Sequence, residues 1–449
     1  MQKLLYTRLD ELARSLKRRI SVGLLGLGRT NKAALELLLG TDVDITVRQD
    51  GLAPSLLPNA VAVKSFRGIY EDVLIPSPSV RRERLTIPDS TLVLTDYDLL
   101  FDSKPEKLFL VSGSDGKSTT VALTSLLLSP TFPDVFTGGN IGVPLWQASR
   151  EASAFLLELS SFTLRYTRPR GGRALLTNVT PNHLDWHEGL EEYEDSKLGL
   201  ILSADEPILN ISDPYSERAA RDIEAFCLVA ESMTDDEIRG RYKTEHTVTI
   251  HGGSIKLDGE PLVSTDEVRR NERHNLLNLS SAIALSIGYT DKSRIAEVAR
   301  SFRGLSERCE HFSLDGIEYV SSSIDTTPER TKTTLSSLGK RVRIILGGRG
   351  KGLPLDPLRE VLKEYATRIA VYGEIGKDIV SFIESDEDLV KIPHFCTMDF
   401  DSAVDYVFDG IECGETVRLS PAATGYGEFR DYKERGEHFK EYIRKKHTH

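Results

Sequence analysis

Leu-Phe-Leu-Val-Ser-Gly-Ser-Asp-Gly-Lys-Ser-Thr-Thr-Val-Ala-Leu-Thr-Ser-Leu-Leu-Leu, residues 108–128, reads as a strand, a phosphate loop and a helix. Leu108 to Val111 form the continuous apolar run of a strand buried on both faces in a parallel sheet. Val121, Leu123, Leu126, Leu127 and Leu128 are expected to line the packed face of the helix. Between them Gly113 and Gly116 let backbone N–H groups approach phosphate oxygens at a helix N-terminus. Lys117 reaches terminal phosphates, and Ser118 or Thr119 offers a hydroxyl to Mg²⁺. No glycine stands at position 111, so the eight-residue phosphate-loop pattern shrinks to Gly-x-x-Gly-Lys-Ser. The alternative for this stretch is an incidental glycine turn.

The chain of 449 residues has room for two to four domains, and 39% hydrophobic residues suffice for ordinary cores. Its net charge of −11 disfavours a broad nucleic-acid footprint and leaves a local phosphate pocket open. The basic residues at 81–84 and at Arg444, Lys445 and Lys446 read as solvated surface. Met1 to Arg19 mixes leucines with arginines and lacks a signal-peptide core; no apolar run reaches bilayer length, so a cytoplasmic protein without membrane insertion is expected. Cys227, Cys309, Cys396 and Cys413 form no C-x-x-C pair, which suggests neither a disulfide framework nor a zinc site.

Three segments repeat the pattern of a strand running into a loop. Val22, Leu24 and Leu25 lead to Gly26 and Gly28 and then to a leucine-rich helix, a Rossmann-like opening followed by a strand ending near Arg48. Asn31 stands where a third fingerprint glycine would fall, so packing alone or a phosphate-bearing ligand other than a dinucleotide both fit. In the second segment Phe155 to Leu159 is an apolar strand broken by Glu158, read either as a paired structural carboxylate or as a Mg²⁺ ligand. Ala174 to Val179 makes a strand that delivers His183 at its carboxyl end, where ligands bind in such sheets. Residues 191–202 and 274–285 read as helices carrying Lys197 and Asn275. In the third segment Ile344 to Leu346, Ile369 to Tyr372 and Val417 to Leu419 each lead into a loop, which predicts a further α/β sheet.

Together these separated motifs resemble the Mur ligases, ATP-dependent enzymes that extend the peptide of the peptidoglycan precursor. The resemblance spans nearly the whole chain. It rests on the short loop Gly113–Thr119, the string Glu158 to Phe162, the box Asn178 to Asp185, His274-Asn275, Arg308, and the ending from Ser420-Pro421-Ala422 to Arg435-Gly436. It implies an α/β fold of three domains: a Rossmann-like UDP-binding domain over 1–104, a central P-loop ATPase-like domain with a mainly parallel sheet over 105–304, and a C-terminal Rossmann-like domain over 305–449. The string Glu158 to Phe162, the segment Tyr193 to Lys197 and the ending are most similar to the branch that joins glutamate to UDP-N-acetylmuramoyl-L-alanine.

The roles implied by this resemblance are specific. Gly113, Ser114, Asp115, Gly116, Lys117, Ser118, Thr119, Asn275 and Arg308 would hold ATP. Ser118, Glu158, His183 and a carbamylated Lys197 would hold two Mg²⁺ ions, and Asn140, with Lys117, His183 and Lys197, would serve catalysis. Gly26, Leu27, Gly28, Arg29 and Thr30 would face the UDP diphosphate, and Arg48 the uridine. Thr326, Lys351, Ser420, Gly425 and Tyr432 would take glutamate. The partners are small molecules only, namely the UDP-sugar peptide, glutamate and ATP, and a monomer is expected.

The departures lie at the amino-acid end. Ser321-Ser322-Ser323-Ile324-Asp325-Thr326 stands where D-glutamate-adding relatives commonly carry Asn-Asp-Ser-Lys-Ala-Thr, so an acidic nucleotide contact and a glutamate-binding lysine are missing. Gly425 replaces a serine, and Tyr432 a common phenylalanine. The Ile-x-Thr-Thr-Pro stretch and the Phe-Arg-Asp-Tyr ending are similar to relatives that add L-glutamate. Arg349, Lys351 and the loop Thr424 to Tyr426 remain as carboxylate partners. A folylpolyglutamate synthetase lacks the leading domain, and a catalytically silent UDP-sugar- or ATP-binding homologue is the alternative from another class.

Overall fold

The computed structural model describes residues 1–49, 60–63, 65, 66, 68–82, 85–140, 142–149, 152–180, 186–350 and 352–448, with the Ser337 side chain left out. The fold is α/β, with three mainly parallel sheets. It divides into two compact units, Met1–Phe302 and Arg303–His449. No helix among the described residues is long and apolar enough to cross a membrane.

The first unit carries two sheets. In the smaller, the strand Ser21–Leu25 pairs in parallel with Asp44–Arg48 on one side and Val73–Pro76 on the other. Val22, Leu24 and Leu25 are buried, which is why the run is unbroken rather than alternating. The glycine turn therefore leaves the sheet where the chain switches direction of winding, the place such folds leave open for ligands. Asn31, buried in the helix Arg29–Leu38, donates from Nδ2 to the carbonyls of Leu25, Gly26 and Ile75 at 3.0, 2.9 and 3.1 Å. The residue that breaks the glycine fingerprint thus ties two strand ends together, a packing role that glycine could not fill.

In the larger sheet the strand Leu108–Ser112 lies between Phe155–Glu158 and Arg173–Leu176, parallel to both, and all five of its residues are buried. The helix Lys117–Leu128 packs beside the helix Arg273–Leu285. Of its expected apolar face, Val121, Leu123, Leu127 and Leu128 are buried, whereas Leu126 is 39% exposed and Thr120 and Thr124 are buried instead. At about 100° per residue, position 126 falls away from the stripe through 120, 124 and 127, and small threonines admit the neighbouring helix. The predicted strand beyond Leu176 stops there because Thr177 and Asn178 turn their side chains to the phosphate loop. A hairpin of Thr244–His251 and Ser254–Leu257 closes the far side.

The second unit is a sheet in which Ile317–Ser321, Thr416–Leu419, Val342–Gly347, Ala366–Tyr372 and His394–Thr397 run parallel in that spatial order. Glu310–Leu314 joins one edge antiparallel. The loops after the parallel strands gather at their carboxyl edge.

Candidate active site

Steric fit shapes the phosphate loop before any ligand is considered. Gly113 adopts φ +145, and a Cβ there would lie 1.9 Å from Thr177 Oγ1; Gly116 adopts φ +81, with a Cβ 2.3 Å from Asn278 Oδ1. Both positions demand glycine for conformation and for space. Asn178 pins the loop at two points: its Oδ1 accepts from Asp115 N–H at 2.9 Å, and its Nδ2 donates to Asp115 O at 3.1 Å. Thr177 Oγ1 donates to Asp115 O at 2.7 Å, and Ser114 N–H to Asn178 O at 2.9 Å. Ser114 Oγ meets Tyr193 OH at 2.7 Å. The loop is thus clamped by the residues that follow the neighbouring strand, ready to present its N–H groups at the start of a helix.

Charges of both signs converge on this loop. Lys117 Nζ donates to the carbonyls of Gly113 and Ser114 at 2.8 and 2.7 Å, and Lys197 Nζ donates to the same Gly113 oxygen at 2.8 Å. Lys197 is 1% exposed, and its Nζ lies 4.7 Å from the Tyr193 ring centroid. Burial, reinforced by Lys117, holds its ammonium well below the ordinary lysine range.

Glu158 is also 1% exposed. It accepts from Ser118 Oγ at 2.8 Å and from Asn140 Nδ2 at 3.0 Å, and among the described residues no lysine or arginine forms an ion pair with it. A buried carboxylate served by neutral donors alone fits a cation site. Among the described residues no three His, Cys, Asp or Glu side chains cluster as a metal cage. His183, with Pro181 to Asp185, lies outside the described residues. The histidine that sequence reasoning passed over is His187, buried with Nδ1 2.5 Å from Glu192 Oε2 and Nε2 2.8 Å from Ser161 Oγ. Asn275 sits in the first turn of the helix Arg273–Leu285, its Nδ2 donating to Glu272 at 2.9 Å.

The chain matches known proteins along its length. The family model described as Mur ligase middle domain matches residues 111–286. A UDP-N-acetylmuramoylalanine–D-glutamate ligase of Solibacter usitatus is 30% identical over 442 residues, covering 93% of this chain and 96% of that protein. The chain belongs to the Mur ligase family. A protein of the same name from Ruminiclostridium cellulolyticum is 28% identical, covering 97% and 98%. The crystal structure of MurF from Acinetobacter baumannii shares the fold with a TM-score of 0.54 at 14% identity, covering 90% of this chain and 92% of that one.

In this Mur ligase the amino-terminal glycine turn is partly committed to its own sheet. Gly26 N–H donates to Arg48 O at 2.8 Å and Leu27 N–H to Gln49 Oε1 at 2.6 Å, while Gly28 caps the helix that begins with Arg29 and Thr30. Arg29 Nη2 donates to Asn140 O at 3.1 Å, a link from that turn to the Glu158 cluster that no sequence signal marked. Arg48, expected on the uridine side, is held inside the sheet. Its guanidinium is 1% exposed, paired with Glu71 at 2.9 Å and bonded to the carbonyls of Ser65 and Gly68, so it closes the sheet from within.

The second unit sorts the expected glutamate residues differently. Lys351 lies outside the described residues. Ser420, expected at the glutamate end, is fully buried and donates to Asp325 Oδ2 at 2.7 Å. Gly425 is buried and Tyr432, half-buried, starts the last helix, Tyr432–Lys446. Thr326 N–H donates to Ile324 O at 2.8 Å. Arg349 and Thr424 exchange backbone hydrogen bonds of 2.9 and 3.0 Å, zipping two loops together at the carboxyl edge. Arg308 belongs to this unit and is half-buried.

Proposed function

We propose that this chain is an ATP-dependent ligase of peptidoglycan-precursor synthesis that joins D-glutamate to UDP-N-acetylmuramoyl-L-alanine. The observation that carries the reading is the near full-length match to proteins of that name, together with a glycine loop, Lys117, Ser118, Glu158 and Asn140 gathered at one strand end. The substrate carboxylate attacks the γ-phosphorus of ATP, giving an acyl phosphate and ADP. The glutamate amine then attacks the acyl carbon, loses a proton through the tetrahedral intermediate, and phosphate leaves with the oxygen that came from the carboxylate. Catalysis is positioning and charge neutralisation.

Gly113 to Thr119 would hold the ATP phosphates, with Asn275 and Arg308 on the nucleoside side. Mg²⁺ would neutralise phosphate oxygens; Glu158, the Ser118 hydroxyl, His183 and a carbamate on Lys197 would hold it at two sites. Supporting the carbamate, burial disfavours the Lys197 ammonium, and the neutral amine is the form that adds CO2. Gly26 to Thr30 would bind the diphosphate, and Arg29 would pass that contact to Asn140. Thr326, Lys351, Gly425 and Tyr432 would line the glutamate end. The domain limits 1–104, 105–304 and 305–449, a monomeric state and a cytoplasmic location complete the proposal.

A second reading, the L-glutamate-adding variant, is favoured by Ile324 in place of the family lysine and by the capture of Ser420 by Asp325. Phosphate release measured with each enantiomer decides between them. Release requiring both the UDP substrate and glutamate supports the ligase; turnover with neither enantiomer overturns it. Lys197→Ala is expected to abolish turnover, and bicarbonate to restore activity to bicarbonate-depleted wild type; full activity in the alanine variant would remove the carbamate.

A further inference from the structure

Two residues that are not glycine bracket Arg308 in the left-handed region: Glu307 at φ +61 and Cys309 at φ +47. Such backbone persists only where surroundings over-determine it, and strain of this kind collects where a side chain must be aimed. The surroundings here are a buried clamp. Glu307 is fully buried, and its carboxylate faces Lys440 Nζ at 2.8 Å and the Ser321 hydroxyl. Lys440, itself buried on the last helix, also holds Glu310 at 2.9 Å and Glu437 at 2.8 Å. Gly436 gives the carboxylate room, since a Cβ there would lie 1.6 Å from it. Backbone bonds finish the fixation: Glu307 N–H donates to Glu310 Oε2 at 3.0 Å, Ile324 N–H to Glu307 O at 3.2 Å and Arg308 N–H to Leu305 O at 3.2 Å.

We propose that Glu307 and Lys440 are positioning residues that aim Arg308 at the nucleotide, by holding the strained turn through the last helix and the loop after Ser321. The inference rests on the reading of Arg308 as a nucleotide contact. Left-handed backbone on both sides of Arg308 fixes the direction in which its side chain leaves the turn. The same helix grips the same loop a second time, where Arg435 donates from Nε to Ser323 Oγ at 2.9 Å and from Nη2 to Ser323 O at 2.7 Å. Loop, turn and helix are therefore tied together at two places.

The test is a double-mutant cycle on the full chain, reading the Kd for the magnesium complex of the non-hydrolysable ATP analogue AMPPNP by calorimetry. Glu307→Gln keeps the side-chain size and leaves Lys440 with two carboxylates; it is expected to weaken binding about tenfold. Introduced into Arg308→Ala, which is itself weakened, Glu307→Gln is expected to add nothing. Unchanged affinity in Glu307→Gln, or an equal loss in both backgrounds, overturns the positioning role. Unchanged affinity in Arg308→Ala alone overturns instead the nucleotide reading on which the proposal rests. Should Glu307→Gln fail to fold, Ser321→Ala, which removes one hydrogen bond to the same carboxylate, is judged by the same criteria.

Discussion

Burying Lys197 against Tyr193 and beside Lys117 penalises its ammonium, so the unfolded chain binds more protons between the lowered folded value and the ordinary 10.5. Stability contributed at this position therefore rises with pH across that window. Lys197→Met is expected to match or exceed wild-type stability near neutral pH while losing turnover, with the stability difference shrinking toward pH 10.5; urea midpoints across that range check it. Asp96 works in the opposite sense. Burial lifts its carboxyl from 3.8 to about 7, so the folded chain holds the extra proton and stability falls as pH climbs between those values. Asp96→Asn is expected to flatten that slope, read from urea midpoints at about pH 4.5 and about pH 7.5. For Arg48 the buried pair with Glu71 makes a third expectation: Glu71→Gln costs roughly 3–5 kcal/mol of stability, because it strands a buried guanidinium. A Glu71→Gln variant as stable as wild type would contradict that buried pairing.

The phosphate loop is held less by its own residues than by the turn after the strand Arg173–Leu176. Asn178→Ala removes both contacts to Asp115 and is expected to weaken ATP binding with little loss of fold, since the strands and helix keep their burial; calorimetry beside thermal unfolding separates the two. Gly116→Ala is expected to lose both together, because φ +81 strains any side chain there and a Cβ would force Asn278 aside. The strand, loop and helix at 108–128 were legible in the sequence because a buried parallel strand is a short apolar run and a helix start has glycine and lysine at fixed offsets. What the sequence hid was long-range partnering. Arg48 ends a strand as a ligand-binding arginine would, and only the fold brings Glu71 to it. Ser420 ends a strand in the same way, and Asp325 reaches it from 95 residues away. Asn31 looked like a flaw in a glycine fingerprint and proved to be a three-carbonyl clasp, a role no local pattern encodes.

Across the molecule, three parallel sheets each offer a loop-bearing carboxyl edge, and the expected ligands divide among those edges: UDP-sugar, ATP and glutamate. On the larger sheet of the first unit, Lys117, Ser118, Asn140, Glu158 and Lys197, each singled out in the sequence, gather around the phosphate loop and the end of the neighbouring strand. The glutamate end was less legible, since its residues depart from the family pattern at Ser322, Ile324 and Gly425. In the proposed chemistry a carboxylate is activated by ATP and then captured by an amine. The most direct measurement supplies UDP-N-acetylmuramoyl-L-alanine labelled with ¹⁸O in its carboxylate, with ATP and the glutamate enantiomer that supports turnover. One labelled oxygen is expected in each phosphate released, matched by one new amide. Phosphate released without label, or without amide, would contradict that chemistry.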